Sequence, residues 1–377
     1  MKKTDNKSVK LNNKSLILNC LKNGSFSRAE IAEKTGLSKA AVTLLVNEFI
    51  SNNEITEQGI FPQGTVGRPK IALELVKNSH FAIGFSLHRK KLSATIVNLV
   101  GDPIKTVSAD TKGYTSPAAA IDYLYESIFK TIREENLDET KILGIGVSSP
   151  GPLDYKDGII FSPPNLNLFN NFNVKNYLKT KTNLPVFLDN NAVLLALRED
   201  NLRNKHYKNN LFLVSSEGIG SAVLINRKIF RGSSGHSGEI GHITVEPHGI
   251  PCPCGNKGCL ERYISLAALK EKFNIENLDS ALKDEKISEN VTDYIVKYLS
   301  DALISAVNIL DLDCIIIYGE LNDKNSIIAG KLEAEINKRS IISNAHKISV
   351  LPSLQGDEGI ELCAASAVIN AYFEQRI

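Results

Sequence analysis

The residues best suited to metal chemistry are concentrated between Ser237 and Glu261. Within this stretch three cysteines follow the pattern C-x-C-x4-C, and a histidine precedes the first of them by ten residues. Three thiolates and one imidazole form the ligand set of a closed, tetrahedral structural zinc site. We therefore predict one structural Zn²⁺ on this loop. The predicted ligands are His242, Cys252, Cys254 and Cys259.

Two carboxylates flank the predicted zinc loop, Glu239 before it and Glu261 after it. A metal that fixes the loop would also fix these carboxylates, which makes them candidates for ligand recognition. Support of the metal loop itself is their alternative role. His248 lies closer to Cys252 along the chain than His242 does, and it is the alternative imidazole ligand.

The N-terminal part of the chain has the pattern of a winged helix-turn-helix. Ser27 and Glu30 predict a capping box at the start of its second helix. Thr35-Gly36-Leu37 supplies the short turn that precedes the third helix. Residues 1–13 are polar and basic, and we predict them to be disordered. The three helices and the two wing strands are predicted at 14–23, 28–34, 39–51, 55–60 and 71–75.

The third helix is the candidate DNA-reading helix, because its non-core face carries small and hydrogen-bonding side chains that suit a major groove. Arg68 lies in the wing, where an arginine held by the neighbouring proline could enter a narrow minor groove. Residues 1–80 carry 12 Lys and Arg against 7 Asp and Glu, a bias that suits either a polyanionic partner or solubility alone. The predicted DNA contacts are Arg28, Ser38, Lys39, Ala40, Thr43, Asn47 and Arg68.

From Ser79 onward the pattern becomes α/β. Three strands are followed by helix, strand and helix, and this order of elements occurs twice. The repetition predicts two similar α/β lobes that follow the winged helix, with a ligand cleft at the strand ends.

Composition limits the cellular context. The chain has no run of 18 apolar residues, and no apolar segment follows its basic N-terminus, so we predict neither a transmembrane helix nor a secretory signal. Cys20, Cys314 and Cys363 are isolated in apolar patterns, which favours a reducing compartment over a disulfide framework. We therefore expect a cytoplasmic protein without a membrane partner.

Three motifs make the chain resemble the ROK family of repressors, open reading frames and sugar kinases. They are G-I-G-V-S-S-P-G-P-L-D at 144–154, G-E-I-G-H at 238–242 and C-P-C-G-N-K-G-C-L-E at 252–261. The N-terminal winged helix, with its Gly-Arg-Pro wing, resembles the repressor branch, xylose repressors in particular. The resemblance covers residues 14–377 and implies a duplicated actin-like sugar-kinase fold, which is ribonuclease H-like.

The expected domain limits combine the element pattern with this resemblance. They are 1–13 for the disordered tail, 14–76 for the winged helix, 77–198 with 357–377 for the first ROK lobe, and 199–356 for the second lobe with the zinc loop.

The resemblance implies the same four zinc ligands and a set of residues that hold sugar hydroxyls. Carboxylates, amides and an imidazole are suitable partners for vicinal hydroxyls. His242 serves both sites only if one ring nitrogen binds the metal and the other faces the sugar. The implied sugar-binding residues are Asn165, Asn190, Asn191, Glu239, His242 and Glu261.

The features that kinases of this family need are altered. Asn191 stands where they carry the catalytic Asp, and a carboxamide cannot accept the proton of a sugar hydroxyl. Asp189 is the alternative base if the register differs. The region corresponding to the first phosphate loop, 86–91, has no Asp for magnesium and no paired glycines. The second phosphate loop, 216–220, carries Glu217, whose carboxylate would repel phosphates, and the three glycines on the adenosine side are replaced by Tyr318-Gly319-Glu320. We therefore expect no kinase activity.

Together these features predict a sugar-responsive repressor of carbohydrate-utilisation genes. It would bind double-stranded operator DNA as a homodimer or homotetramer, and a sugar inducer, with xylose as the candidate, would lower its operator affinity. Two alternatives remain, a ROK-type sugar kinase that carries a DNA-binding domain and a constitutive DNA-binding protein.

Overall fold

A computed structural model of the chain describes residues 6–22, 24–60, 71–163, 166–284, 287–322, 327–356 and 359–377. The chain divides into two units, residues 1–189 with 359–377, and residues 190–358. The helices are α1 (Asn6–Lys22), α2 (Arg28–Thr35), α3 (Lys39–Ser51), α4 (Pro117–Glu134), α5 (Val174–Thr182), α6 (Asn191–Leu202), α7 (Glu261–Ile264), α8 (Leu266–Phe273), α9 (Leu278–Ala281), α10 (Ser288–Leu310), α11 (Ile327–Arg339) and α12 (Ile360–Phe373). The strands are β1 (Ile55–Ile60), β2 (Ile71–Leu75), β3 (Phe81–Leu87), β4 (Lys91–Asn98), β5 (Pro103–Asp110), β6 (Ile142–Ser149), β7 (Leu153–Asp154), β8 (Ile159–Ile160), β9 (Phe172–Asn173), β10 (Val186–Asn190), β11 (Asn210–Ser215), β12 (Ile219–Ile225), β13 (Lys228–Ile229), β14 (Cys314–Gly319) and β15 (Ser349–Pro352).

The first unit begins with the winged helix that the sequence predicts. The Ser27–Glu30 capping box is present at the start of α2, and Ser38 caps α3 by accepting from the Ala41 N–H. β1 and β2 form an antiparallel ribbon. The wing itself, residues 61–70, lies outside the described residues, and so does Arg68.

The prediction of disorder over residues 1–13 is wrong from Asn6 onward, because α1 begins there. Two of its lysines contact α3: the Nζ atoms of Lys10 and Lys14 lie 2.9 and 2.8 Å from the carboxylate oxygens of Glu48. The buried apolar stripe of Ile17, Leu18 and Leu21 begins later along the helix, and Val9 and Leu11 alone do not make a helical stripe in the first two turns. The first turns of α1 are therefore helical and ion-paired with Glu48 of α3, although their hydrophobic periodicity does not predict a helix.

After the winged helix comes a five-stranded sheet in the order β10-β6-β3-β4-β5. β3 pairs antiparallel with β4 and parallel with β6. Alternate residues of β3 point to opposite faces of the sheet. Phe81, Ile83 and Phe85 pack in one hydrophobic cluster with α4, whereas Ala82 packs in another with α12. A Cβ at Gly84 would lie 1.9 Å from the Glu361 carbonyl oxygen, so glycine allows α12 to approach the sheet closely.

The second unit repeats this arrangement. Its sheet has the order β13-β12-β11-β14-β15, and β11 pairs antiparallel with β12 and parallel with β14. The duplication predicted from the element order is thus present. The boundary between the units lies at 189/190 rather than at 198/199, because α6 packs on β11 and β12. The chain returns from the second unit to the first at 358/359, whereas the sequence predicts this return at 356/357.

The core of the winged helix is continuous with that of the first lobe. Ile17 and Leu18 of α1 and Val46 of α3 belong to one buried cluster with Val368 and Phe373 of α12. The Lys22 ammonium also donates to the Asn370 side chain, over 2.9 Å. The winged helix is therefore packed onto the last helix of the first unit, and the two belong to one compact body.

A buried polar contact joins the same surfaces. The Tyr372 hydroxyl donates to the carboxylate of Glu54, a residue that is only 6% exposed, and the Asn52 amide donates to the same carboxylate over 3.0 Å. The Tyr372 ring also contacts His80, with 5.0 Å between ring centroids. Burial raises the pKa of Tyr372 above its usual range and lowers the pKa of His80.

None of the helices in the described ranges has the length and apolar character that crossing a membrane requires.

We expect Tyr372→Phe to lower the free energy of unfolding by about 1–3 kcal/mol, because it removes a hydrogen bond from a buried carboxylate. Urea unfolding, followed by circular dichroism, measures the change. Tyr123→Phe is the matched control, since Tyr123 is 40% exposed and should change stability little. Equal unfolding midpoints for the two variants would contradict a stabilising role for the Tyr372–Glu54 contact.

Candidate metal centre and nucleic-acid interface

The four predicted zinc ligands form one cluster. Their ligand atoms all lie within 4.8 Å of one another. The Cys252 Sγ lies 3.7 Å from the His242 Nδ1, and the Cys254 Sγ lies 3.7 Å from the Cys259 Sγ. Ligands about 2.0–2.3 Å from a tetrahedral ion lie roughly 3.3–3.8 Å apart, so these two spacings are compatible with a zinc ion. His248 is exposed and does not belong to the cluster.

Backbone hydrogen bonds shape the loop that carries the ligands. The Val245 N–H donates to Gly258 and the Leu260 N–H donates to Ile243, so the segments before and after the cysteines run side by side. Gly258 has φ +69°, and a Cβ there would lie 1.7 Å from the Glu246 carbonyl oxygen. Only glycine meets both demands, which explains its place just before Cys259.

The thiols differ in their surroundings. Burial raises the pKa of Cys259 to about 12, whereas a hydrogen bond from the Asn256 backbone lowers the pKa of Cys254. A metal must displace the proton of a buried thiol before the thiolate can bind it. Metal binding by this cluster would therefore release protons.

The two flanking carboxylates have different environments. Glu239 is exposed and precedes the short 3-10 turn Ile240–His242. Glu261 is half-buried at the start of α7, and its Oε2 accepts from the Ile219 N–H over 2.9 Å. A Cβ at Gly218 would lie 2.5 Å from the same oxygen. The end of the metal loop is thus joined to the β11–β12 turn through Glu261.

The asparagines predicted to bind sugar lie where β10 meets α6. Asn190 caps α6, its Oδ1 accepting from the Ala192 N–H over 2.9 Å, and Asn191 is the first residue of the helix. Asp189, the alternative base, precedes them on β10. Asn165 lies outside the described residues.

The candidate DNA-reading surface is accessible. Five of the predicted contacts at or on α3 are exposed: Ser38, Lys39, Ala40, Thr43 and Asn47. Arg28 of α2 is held beside them, since its guanidinium pairs with Glu57 at 2.6 Å and donates to the Asn47 Oδ1 over 3.1 Å. This surface is therefore partly ordered by its own hydrogen bonds.

One residue of this surface was not predicted from the sequence. Leu44 is 69% exposed, whereas Val42, Leu45, Val46 and Phe49 on the same helix are buried. The sequence does contain a signal for Leu44: it follows Ala40 by four residues, and that spacing places both side chains on one helical face.

A family model, a curated relative and solved structures all relate this chain to ROK family proteins. The ROK family model matches residues 83–370. The chain is 29% identical to a xylose repressor from Bacillus spizizenii, covering 97% of this chain and 96% of the relative. Among solved structures, a ROK family transcriptional regulator described as a homolog of the E. coli MLC protein has a TM-score of 0.82 at 22% identity, covering 97% of both chains. A ROK hexokinase from Thermus thermophilus has a TM-score of 0.64 at 26% identity, covering 78% of this chain and 99% of the hexokinase.

We expect the purified protein to contain about one zinc ion per chain, and Cys252→Ser and Cys259→Ser to lower that content severely, because each removes a thiolate from a four-ligand set. Elemental analysis measures the metal, and thermal unfolding with and without a chelator measures its contribution to stability. Cys20→Ser, far from the cluster in sequence, is the control. Metal-free wild-type protein whose stability does not respond to added zinc would contradict the assignment.

Proposed function

Because the chain belongs to the ROK family, we propose that it is a sugar-responsive transcriptional repressor of carbohydrate-utilisation genes. The observation that carries the proposal is a winged helix with an exposed α3 face, joined at the N-terminal side to a ROK domain. The near full-length similarity to a xylose repressor supports it.

The winged helix would bind operator DNA through α3. Ser38, Lys39, Thr43 and Asn47 would meet base edges and phosphates in the major groove, with Ala40 allowing close approach. Arg28 would contact the backbone beside them, and Arg68 would enter the minor groove from the wing. A homodimer would present two such helices about one turn of DNA apart.

The zinc ion would be structural. Three thiolates and one imidazole fill a tetrahedral shell and leave no open position for a substrate, unlike catalytic zinc sites. Its role would be to fix the loop and, through the loop, the positions of Glu239 and Glu261. His242 would direct Nδ1 to the metal, which leaves Nε2 on the opposite side of the ring for a sugar hydroxyl.

The sugar would be held by Glu239, His242 and Glu261, together with Asn165, Asn190 and Asn191. Because the Glu261 Oε2 already accepts from the Ile219 N–H, the β11–β12 turn orients this carboxylate and its other oxygen is the better placed to accept from a hydroxyl. Xylose is the first candidate, since the relative with 29% identity is named a xylose repressor.

The chain would bind its sugar without phosphorylating it. Asn191 cannot act as a general base. On the nucleotide side, the Ile219 N–H donates to Glu261, and Glu217 adds a second carboxylate to the same turn, which would repel phosphates. The hexokinase relationship keeps a kinase as the second candidate function.

We expect the inducing sugar to weaken operator binding by roughly 5- to 150-fold, the usual range of allosteric coupling. Gel-shift titrations with xylose, glucose and N-acetylglucosamine on a selected operator measure the effect. An operator affinity that no sugar changes would contradict the sensor. Turnover of ATP with any of these sugars would favour the kinase instead.

We expect Gly218→Ala to weaken sugar binding by roughly tenfold or more, because the added methyl displaces the Glu261 carboxylate and a charged hydrogen bond is lost. Isothermal titration with the inducing sugar measures the affinity. Gly220→Ala is the matched control in the same segment, since a Cβ there meets nothing within 4 Å. If both variants bind as tightly as the wild type, Glu261 supports the loop and does not bind sugar.

A further inference from the structure

An exposed leucine, Leu44, lies near the middle of α3, the helix proposed to face DNA. Leu44 is 69% exposed, although the core side of α3 is fully buried. Single exposed apolar residues are common and need no explanation by themselves. The position of this one is informative, because Ala40, Thr43, Leu44 and Asn47 follow the spacing i, i+3, i+4, i+7 and therefore share one helical face.

The polar groups of this face are already partly used within the protein. The Thr43 hydroxyl donates to the Lys39 carbonyl over 2.8 Å, so its proton is directed back along the helix. The Asn47 Oδ1 accepts from Arg28, and Arg28 is in turn held by Glu57. What the centre of the face offers to a partner is therefore mainly the methyl groups of Ala40, Thr43 and Leu44.

Thymine is the base that such a surface suits. In the major groove it alone presents a C5-methyl group, and small apolar side chains recognise that methyl by contact. Asn47 lies one turn further along the helix, and with its oxygen already accepting from Arg28 its amide nitrogen is the group suited to donate to a base acceptor such as the thymine O4.

We infer that Ala40, Thr43 and Leu44 form an apolar reading surface for thymine methyl groups in the operator half-site, with Leu44 as the principal contact. This inference rests on the proposed function, since it assigns the base that the repressor reads. Leu44 is then a specificity-determining residue, and its exposure in the absence of DNA is the condition for that role.

The test begins with selection of an operator from random duplexes by the full-length wild-type protein without sugar. Each thymine of the selected half-site is then replaced in turn by uracil, which removes only the C5-methyl group. We expect at least one replacement to weaken wild-type binding about fourfold, the effect of burying roughly one methyl group. At the thymine whose replacement has the largest effect, Leu44→Ala should bind the thymine and uracil duplexes equally, so the two changes are strongly non-additive there.

Leu354→Ala is the matched control, because Leu354 is 59% exposed and lies outside the winged helix, and it should retain the wild-type preference for thymine. Unchanged thermal unfolding of Leu44→Ala would show that the fold is intact. Full thymine discrimination by Leu44→Ala, or none by the wild type at any position, would overturn the inference while leaving the repressor proposal standing. Failure of the wild type to enrich any sequence would overturn the repressor proposal itself.

Discussion

The structure depends on one buried cluster that the winged helix and the first lobe share. Ile17, Leu18 and Val46 pack with Val368 and Phe373, and the Tyr372–Glu54 contact adds a polar group at the same junction. Because protein cores are close-packed and transmit strain, a displacement of α12 would disturb the packing of α1 and α3 in this cluster. The winged helix and the first lobe therefore share one core, and under the proposed function this core would connect a sugar-induced change in the lobe to the DNA-binding helices.

The loop between His242 and Cys259 has few buried side chains, so it needs another source of order. Cys254 and most residues around it are exposed, so burial contributes little there. A bound ion would hold the loop by four metal–ligand bonds instead of a hydrophobic core. The backbone hydrogen bonds that pair the two ends of the loop would then fix Glu261, which accepts from the Ile219 N–H. A loop fixed in this way keeps polar groups at the surface for recognition while losing little freedom on binding.

Local signals in the sequence were sufficient for local features. The capping box at Ser27 and Glu30 is predictable because its partners are three residues apart. The cluster at His242, Cys252, Cys254 and Cys259 is predictable because zinc sites use few residue types at short spacings. The beginning of α1 and the whole of α5 were missed, since the first accompanies pairing with the distant Glu48 and the second buries only Val174 and Leu178. The packing of α12 against the winged helix had no local signal at all, because it joins residues more than 300 positions apart.

That separation has a consequence for synthesis. Tyr372 lies 318 positions after Glu54, and Asn370 lies 348 positions after Lys22. A growing chain that has emerged only through β2 still lacks α12, the helix that packs against the core of its winged helix. The core that the winged helix shares with the first lobe can therefore be completed only after α12 has been synthesised.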